Sequence, residues 1–248
     1  MTKSNYIKLT KPFIENFLSP LSNVVDKAPF LIKDSKISTC CKNPSGEVSV
    51  NFSMDIETDV DDVTINVPDM VKFKNLLERG TVLADSDRLN IHKNKLSYKS
   101  TKWRFNYHLL DSGLMKNMNL KPDIISNFDS SLTFNLKSDV LSDIVKLKTF
   151  HKNKVEKVYI KLIDDAIYAC LTDETIMNTD ELSVFVTDRY NLYDEDKLSN
   201  MIIKYDVIKI LSQHRGVPFK IKCSEGAFLI QTIWNGVTIT YITAKLLK

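Results

Sequence analysis

The sequence predicts an α+β protein made of two similar domains, each laying two short helices on antiparallel sheets. Three observations predict it. The pattern that opens the chain returns 127 residues later, a second amphipathic helix follows in each half, and short alternating runs bounded by turn residues fill the intervals.

The repeat is carried by its apolar positions. Ile7 matches Phe134, Leu9 matches Leu136, Phe13 matches Val140, Ile14 matches Leu141, Phe17 matches Ile144 and Leu18 matches Val145. Two alternating apolar residues followed by apolar pairs four apart describe a short strand leading into an amphipathic helix, because side chains share a face every second residue on a strand and every third or fourth on a helix. Thr10 and Ser138 stand at the two helix entrances, where a side-chain oxygen caps free amides, and Pro12 fits a first turn that needs no donor. The second helix of each half is expected from Pro68 to Arg79 and from Tyr205 to Arg215, with Met70, Val71, Lys72 and Phe73 matching Val207, Ile208, Lys209 and Ile210 at an offset of 137. Each is expected to end in Arg-Gly, at Arg79-Gly80 and Arg215-Gly216, where glycine takes the left-handed conformation that closes a helix.

Strands are expected at Phe30 to Lys33, Lys36 to Cys41, Glu47 to Ser53 and Val63 to Val67, then at Leu89 to His92, Lys95 to Tyr98 and Trp103 to Leu109. The second half repeats them at Val155 to Leu162, Ala166 to Leu171, Leu182 to Thr187 and Met201 to Lys204, then at Phe219 to Cys223, Ala227 to Thr232 and Val237 to Thr243. Gly46, Gly226 and Gly236 fall at hairpin positions that call for positive φ. The run from Asp111 to Ser131, with Gly113, Pro122 and scattered polar residues, breaks the pattern and divides the chain into a first domain, 1–110, a connector, 111–131, and a second domain, 132–248.

Composition narrows the function classes. Of 248 residues 43% are hydrophobic and 26% charged, and Gly and Pro number only 6 and 7, which is a globular composition rather than a disordered one. No apolar run reaches membrane-spanning length and the first residues lack the apolar core of a signal peptide, so a cytoplasmic location (host-cell cytoplasm if viral) is expected. Cys40, Cys41, Cys170 and Cys223 show no zinc spacing and are expected as buried or half-buried free thiols. The six glycines form no phosphate-binding loop, and His92, His108, His151 and His214 are far apart and expected at surfaces or edges. Asp55, Glu57, Asp59, Asp61 and Asp62 are the best grouping for a divalent metal, but they lie in one loop with no base nearby and are expected to be a solvated acidic loop; Asp164-Asp165 sits at a hairpin turn. No catalytic constellation, cofactor or metal site is expected.

A strand-helix unit occurring four times, paired into two similar domains with an extended connector, resembles the sliding clamps of DNA polymerases. With two domains in 248 residues the chain is most similar to the trimeric branch, which includes the T-even phage clamps and proliferating cell nuclear antigen; the short segment Ser35 to Met54, with its turn at Asn43 to Gly46, is similar to the phage members. The resemblance implies a clamp fold closing head to tail into a homotrimeric ring, with sheets outside and helices lining a hole that holds duplex DNA. It implies tethering of the replicative polymerase and opening by a clamp loader. The edges of the ring interface would be the last strand of the first domain, carrying Trp103, Phe105 and Tyr107, and the Leu182 to Thr187 strand, carrying Val184 and Val186. Partner proteins would dock at Met118, Leu120, Ile124 and Ile125 of the connector and at Tyr241, Ile242 and Ala244 near the C-terminus.

If helices line a hole, their apolar stripes pack on the sheets and the opposite faces meet DNA. Lys72, Asn75 and Arg79 lie opposite Met70, Phe73, Leu76 and Leu77 on the second helix; Lys209, Ser212 and Gln213 lie opposite Val207, Ile208, Ile210 and Leu211 on the fourth. The third exposes Lys146 and ends in Lys148, His151, Lys152 and Lys154, offset by Asp139 and Asp143, while Lys8 and Lys11 open the first. Lys8, Lys11, Lys72, Arg79, Lys146, Lys152, Lys209 and Gln213 are therefore the expected DNA contacts. A net charge of +3 makes the lining patchy, and phosphate contacts carry no sequence information, as suits an object that slides. Two alternatives stand beside the clamp: a nucleic-acid-binding replication or transcription accessory protein that never forms a ring, and a metal-dependent nuclease using the Asp55 to Asp62 run.

Overall fold

The computed structural model describes residues 5–82, 86–118, 125, 127–151, 155–172, 181–194, 201–214 and 216–244. The chain divides into two units, Met1–Pro122 with Ile233–Ile239, and Asp123–Thr232 with Thr240–Lys248.

In the first unit, β1 (Tyr6–Lys8) leads into helix α1, which is π-helical over Phe13–Leu18 and α-helical over Ser19–Ser22. Pro20 has no amide hydrogen for a carbonyl four residues back. The turn before it widens, and the Ser19 N–H bonds the Ile14 carbonyl, five residues back. Strands β2 (Ala28–Lys33), β3 (Lys36–Lys42), β4 (Val48–Asp55) and β5 (Val63–Val67) form an antiparallel run in the order β4-β3-β2-β5. The β2–β3 turn uses Asp34 and Ser35, both at positive φ, and the β3–β4 turn closes through Gly46 N–H to Asn43 O at 2.9 Å. Helix α2 (Met70–Val82) follows, then β6 (Arg88–Ile91), β7 (Lys95–Lys99) and β8 (Arg104–His108), which join β1 in the order β1-β6-β7-β8.

Aromatic rings hold the helices to these sheets. Phe17 of α1 lies 5.7 Å from Phe30 on β2 and 6.1 Å from Phe52 on β4, Phe30 lies 6.5 Å from Phe73 on α2, and Phe73 lies 5.1 Å from Tyr107 on β8. The Tyr107 hydroxyl donates to the Asp69 carbonyl at 2.8 Å and accepts the Asp69 N–H at 3.0 Å, pinning the entrance of α2 to β8. Burial pushes its pKa up to about 12.

The connector is not wholly irregular. Ser112–Met118 forms a 3-10 helix in which Met115 is buried and Leu114 exposed.

In the second unit, β9 (Leu132–Leu136) enters α3 (Ser138–Leu147), which runs on as a 3-10 turn over Lys148–His151. Strands β10 (Lys157–Ile163), β11 (Ala166–Leu171), β12 (Leu182–Thr187) and β14 (Ile202–Lys204) pair in the order β12-β11-β10-β14. The β10–β11 turn is Asp164-Asp165, both residues at positive φ, in line with the expected hairpin. β13 (Tyr190–Leu192), absent from the sequence-based expectations, pairs with β9, which pairs in turn with β15 (Phe219–Cys223) and through it with β16 (Ala227–Trp234). Helix α4 (Tyr205–Leu211) packs beside α3, and β17 (Val237–Ala244) follows the turn at Asn235 and Gly236.

Several expectations are corrected. Gly80 does not close α2. It lies buried within the helix, without positive φ, and a Cβ there would meet the Tyr98 ring at 3.5 Å, an ordinary contact distance. Gly216 does take positive φ, at 78°, and Gly226 does not. The two Arg-Gly pairs are therefore not equivalent, nor is the offset of 137. Val71 is exposed while Ile208 is buried. By burial, Phe73 corresponds to Val207 and Leu77 to Leu211, three positions from the sequence register.

His214, expected at the surface, is almost completely buried. Its Nε2 lies 2.7 Å from the Tyr241 hydroxyl and its ring meets Phe219 edge to face at 5.6 Å. Desolvation lowers its pKa to about 4 and pushes the Tyr241 phenol up, so the hydrogen bond joins two neutral groups. The four cysteines are free, with Cys40 half-buried and the others buried; burial raises Cys41 to about 12.

Candidate nucleic-acid interface and open strand edges

All but one of the cations expected at DNA lie among the described residues. On α2, Met70, Phe73 and Leu77 are buried and Leu76 is half-buried. The Asp69 carboxylate caps the helix by accepting the Lys72 N–H at 2.8 Å. The stripe aims the opposite face at solvent, where Lys72, Asn75 and Arg79 line a shallow depression of about 370 Å3 together with Asp69, Val71 and Leu76. On α4, burial of Val207, Ile208 and Leu211 leaves Lys209 exposed on the helix and Gln213 exposed in the turn after it; Ile210 is only half-buried. Among the described residues Lys72, Arg79 and Lys209 make no ion pair.

Three of the remaining cations face carboxylates within the chain. Lys11 lies 3.7 Å from Glu15 and Lys146 lies 3.0 Å from Asp143. Lys8 is on a strand rather than a helix face, 2.7 Å from Glu57, and that hydrogen bond raises its pKa. Lys152 lies outside the described residues. Lys148, expected in the basic end of the third helix but not among the DNA contacts, stacks 3.8 Å over the Tyr205 ring and joins Lys157 and Lys204 around a depression of about 460 Å3 that also contains Glu156 and Asp206. The neighbouring carboxylates weaken its pull on an anion.

The acidic run has a structural part. Asp59 accepts the Tyr6 N–H at 2.6 Å, the Thr58 hydroxyl donates to the Tyr6 carbonyl at 2.7 Å, and the Lys8 N–H reaches the Glu57 carbonyl at 2.9 Å. These bonds cover the outer edge of β1. Asp61 accepts the Asp34 N–H at 2.9 Å in the β2–β3 turn, and Asp55 lies 3.9 Å from Lys36. Among the described residues no three His, Cys, Asp or Glu side chains gather to hold a metal.

Besides β1, five strands end a sheet with a single partner strand among the described residues, β5, β8, β12, β13 and β14, and the two that bear on assembly are β8 and β12. β8 pairs only with β7 and β12 only with β11 among the described residues. The expected interface residues sit on these strands, except Trp103, which immediately precedes β8, and they differ in exposure. Tyr107 and Val186 are buried in the cores of their own units, which removes them from an outward surface, whereas Trp103, Phe105 and Val184 are half-buried. The side chains turned fully outward are Arg104, Asn106 and His108 on β8, and Ser183 and Phe185 on β12; Phe185 packs edge to face on Tyr168 at 5.8 Å. Alternation along the strand is the signal that would have found Phe185.

Of the expected docking residues, Tyr241 is fully buried against His214 and offers no surface, and Ile242 is half-buried. Leu120 and Ile124 lie outside the described residues, as does the side chain of Met118. Ile125 is half-buried and Ala244 exposed. Among the described residues no helix is long and apolar enough to cross a membrane.

Paired antiparallel sheets carrying two helices in each unit define a sliding-clamp fold, and comparison with solved structures agrees over nearly the whole chain. Proliferating cell nuclear antigen of A. fulgidus, solved with the C-terminal region of FEN-1 bound, matches 98% of this chain and 99% of its own with a TM-score of 0.75 at 11% identity. The proliferating cell nuclear antigen of Entamoeba histolytica matches the same shares with a TM-score of 0.71, also at 11% identity. No protein-family model and no curated protein sequence matches the chain.

Proposed function

We propose that this chain is the subunit of a DNA sliding clamp, a non-catalytic ring that encircles duplex DNA and tethers a replicative polymerase. The observation that carries the proposal is the clamp fold spanning 98% of the chain. At 11% identity few side chains are shared, and what supports the reading is the backbone fold, with two helices on antiparallel sheets in each unit. Function here depends on shape.

Lys72 and Arg79 of α2 and Lys209 of α4, exposed and unneutralised, are the proposed phosphate contacts, with Asn75 and Gln213 as polar neighbours. Point charges on helix faces give weak, salt-dependent attraction with no register on the duplex. Lys8, Lys11 and Lys146 contribute less, because each already faces a carboxylate. The open edges of β8 and β12 are proposed to join successive copies into a homotrimer. By likeness to the A. fulgidus protein, which binds the C-terminal region of FEN-1, short segments of a polymerase and a loader are the proposed protein partners.

The test is assembly. Light scattering from micromolar solutions is expected at three times the 28.4 kDa of the chain, with ring-shaped particles in electron micrographs. A monomer at every concentration overturns the ring.

A further inference from the structure

We propose that the β8 and β12 edges are sorted by charge, the first cationic and the second anionic, so that copies of this chain join only head to tail. The inference deepens the proposed ring and rests on it.

The cationic edge has three parts. First, β8 is the accessible end of its sheet, because the opposite end, β1, is covered by the Glu57 to Asp59 segment. Second, the strand register sets like charges side by side, with Lys99 opposite Arg104. Like charges facing each other across a ladder destabilise a sheet unless an anion lies against them. Third, nothing nearby in sequence offsets them, since the stretch from Arg88 to His108 holds six Lys or Arg and no Asp or Glu.

The edge at β12 is its complement. Glu181 precedes the strand, where it pairs with Lys161 of β10, and Asp188 follows it; both are exposed, so a basic strand laid alongside meets the carboxylate of Asp188, unpaired among the described residues, at one end and competes with Lys161 for Glu181 at the other. The described residues 181–194 around the strand hold Glu181, Asp188 and Asp194 against Arg189. Between the carboxylates stands exposed Phe185, an apolar centre inside a charged rim, the arrangement protein interfaces use.

Main-chain pairing alone cannot choose partners. An open strand offers N–H and C=O groups to any other open strand, so β8 could meet β8, β12 could meet β12, or β8 could meet β12. Charge decides among them. The first pairing sets cations against cations and the second carboxylates against carboxylates; only the third joins opposite signs. It is also the only heterologous contact of the three, and heterologous contacts are the ones that close into a ring instead of stopping at a two-fold dimer.

The test measures the mass of the full-length chain by light scattering without DNA. Three variants are compared with wild type: Lys99→Glu with Arg104→Glu on the cationic edge, Glu181→Lys with Asp188→Lys on the anionic edge, and all four together. All four side chains are exposed, and circular dichroism reports whether each variant folds. Raising salt from about 50 to about 500 mM is expected to weaken wild-type assembly by about ten-fold or more, because screening shortens the reach of these charges. Each single-edge variant is expected to dissociate by at least that factor at low salt, and the four-fold variant to regain assembly. Recovery distinguishes charge sorting from simple damage, including loss of the Glu181 pair with Lys161. A wild-type assembly indifferent to salt and to both single-edge variants overturns charge sorting and leaves the ring standing. A four-fold variant that fails to recover also overturns it. A wild-type monomer under every condition overturns the ring, and this proposal with it.

Discussion

Replacing His214 and Tyr241 together by phenylalanine is expected to flatten the acid limb of the stability curve. His214 has a folded pKa of about 4 against an ordinary value of 6.5, and desolvation is the cause. Within that window the unfolded chain binds a proton that the folded chain refuses, so the unfolded state gains as pH falls. Stability is therefore fully present above about pH 6.5 and is lost progressively down to about pH 4. At about 1.4 kcal/mol per pH unit, the total is about 3 kcal/mol, a large share of what a domain of this size has to lose. The double variant removes both members of the 2.7 Å hydrogen bond, leaving neither polar atom buried alone. His214→Phe by itself strands the Tyr241 hydroxyl and is expected to cost about 1–3 kcal/mol at neutral pH. The assay is urea unfolding at several pH values from 7.5 to about 4, and the quantity of interest is wild type minus double variant, in which the carboxylates common to both cancel. That difference should shrink by about 3 kcal/mol across the window. A difference independent of pH refutes the reasoning, because it means His214 titrates as it would in water.

Other predictions follow from single features. Gly80→Ala should stabilise the chain by about 0.5–1 kcal/mol, since Gly80 is helical and the added methyl meets Tyr98 at ordinary contact distance, whereas Gly216→Ala, at a φ of 78°, should cost about 1 kcal/mol; thermal unfolding separates the two. Charge reversal of Lys72, Arg79 and Lys209 to Glu should weaken DNA association and lower its salt slope by about one for each lost phosphate contact, while reversal of Lys11 and Lys146 should change the slope less, as measured by fluorescence anisotropy across salt concentrations. Asp59→Ala removes the acceptor of the Tyr6 N–H and should cost about 1 kcal/mol in urea unfolding. Native thiol labelling near pH 8 should modify Cys40 well before Cys41, whose thiol is held far above its ordinary pKa.

Most of the architecture was legible because its signals are local. β5, β11, β12 and β15 have the limits that alternation sets, and the Asp164-Asp165 and Asn43 to Gly46 turns carry the residues that tight turns need. The β8 and β12 edges follow from strand order, which the repeat supplies. What stayed hidden depends on tertiary neighbours. Arg79-Gly80 and Arg215-Gly216 are identical dipeptides, yet α2 runs on through Gly80 to Val82, packed against the Tyr98 ring, and the dipeptide does not announce it. His214 continues the buried spacing of Val207 and Leu211, a pattern that could have marked it, although a lone histidine does not announce burial. The π-helical stretch of α1 follows from Pro20, but the proline says only that a donor is missing, not how the helix responds. The candidate DNA face was legible on α2 and α4. On α1 and α3 the same kind of lysine is neutralised by Glu15 or Asp143, and side-chain pairing is not fixed by helical periodicity. The charge of the open edges was present in the composition of two short stretches, yet its meaning required the register that sets Lys99 beside Arg104.

The central claim is that copies of this chain surround DNA rather than grip it, and retention on circular DNA tests it most directly. Labelled protein loaded on a nicked circle, by a loader or by spontaneous opening, should stay on it through a wash at moderate salt and leave within minutes once the circle is cut. Blocking both ends of the linear product with bulky protein should keep it on. Equal loss from circular and linear DNA, or retention that ignores the cut, contradicts a ring.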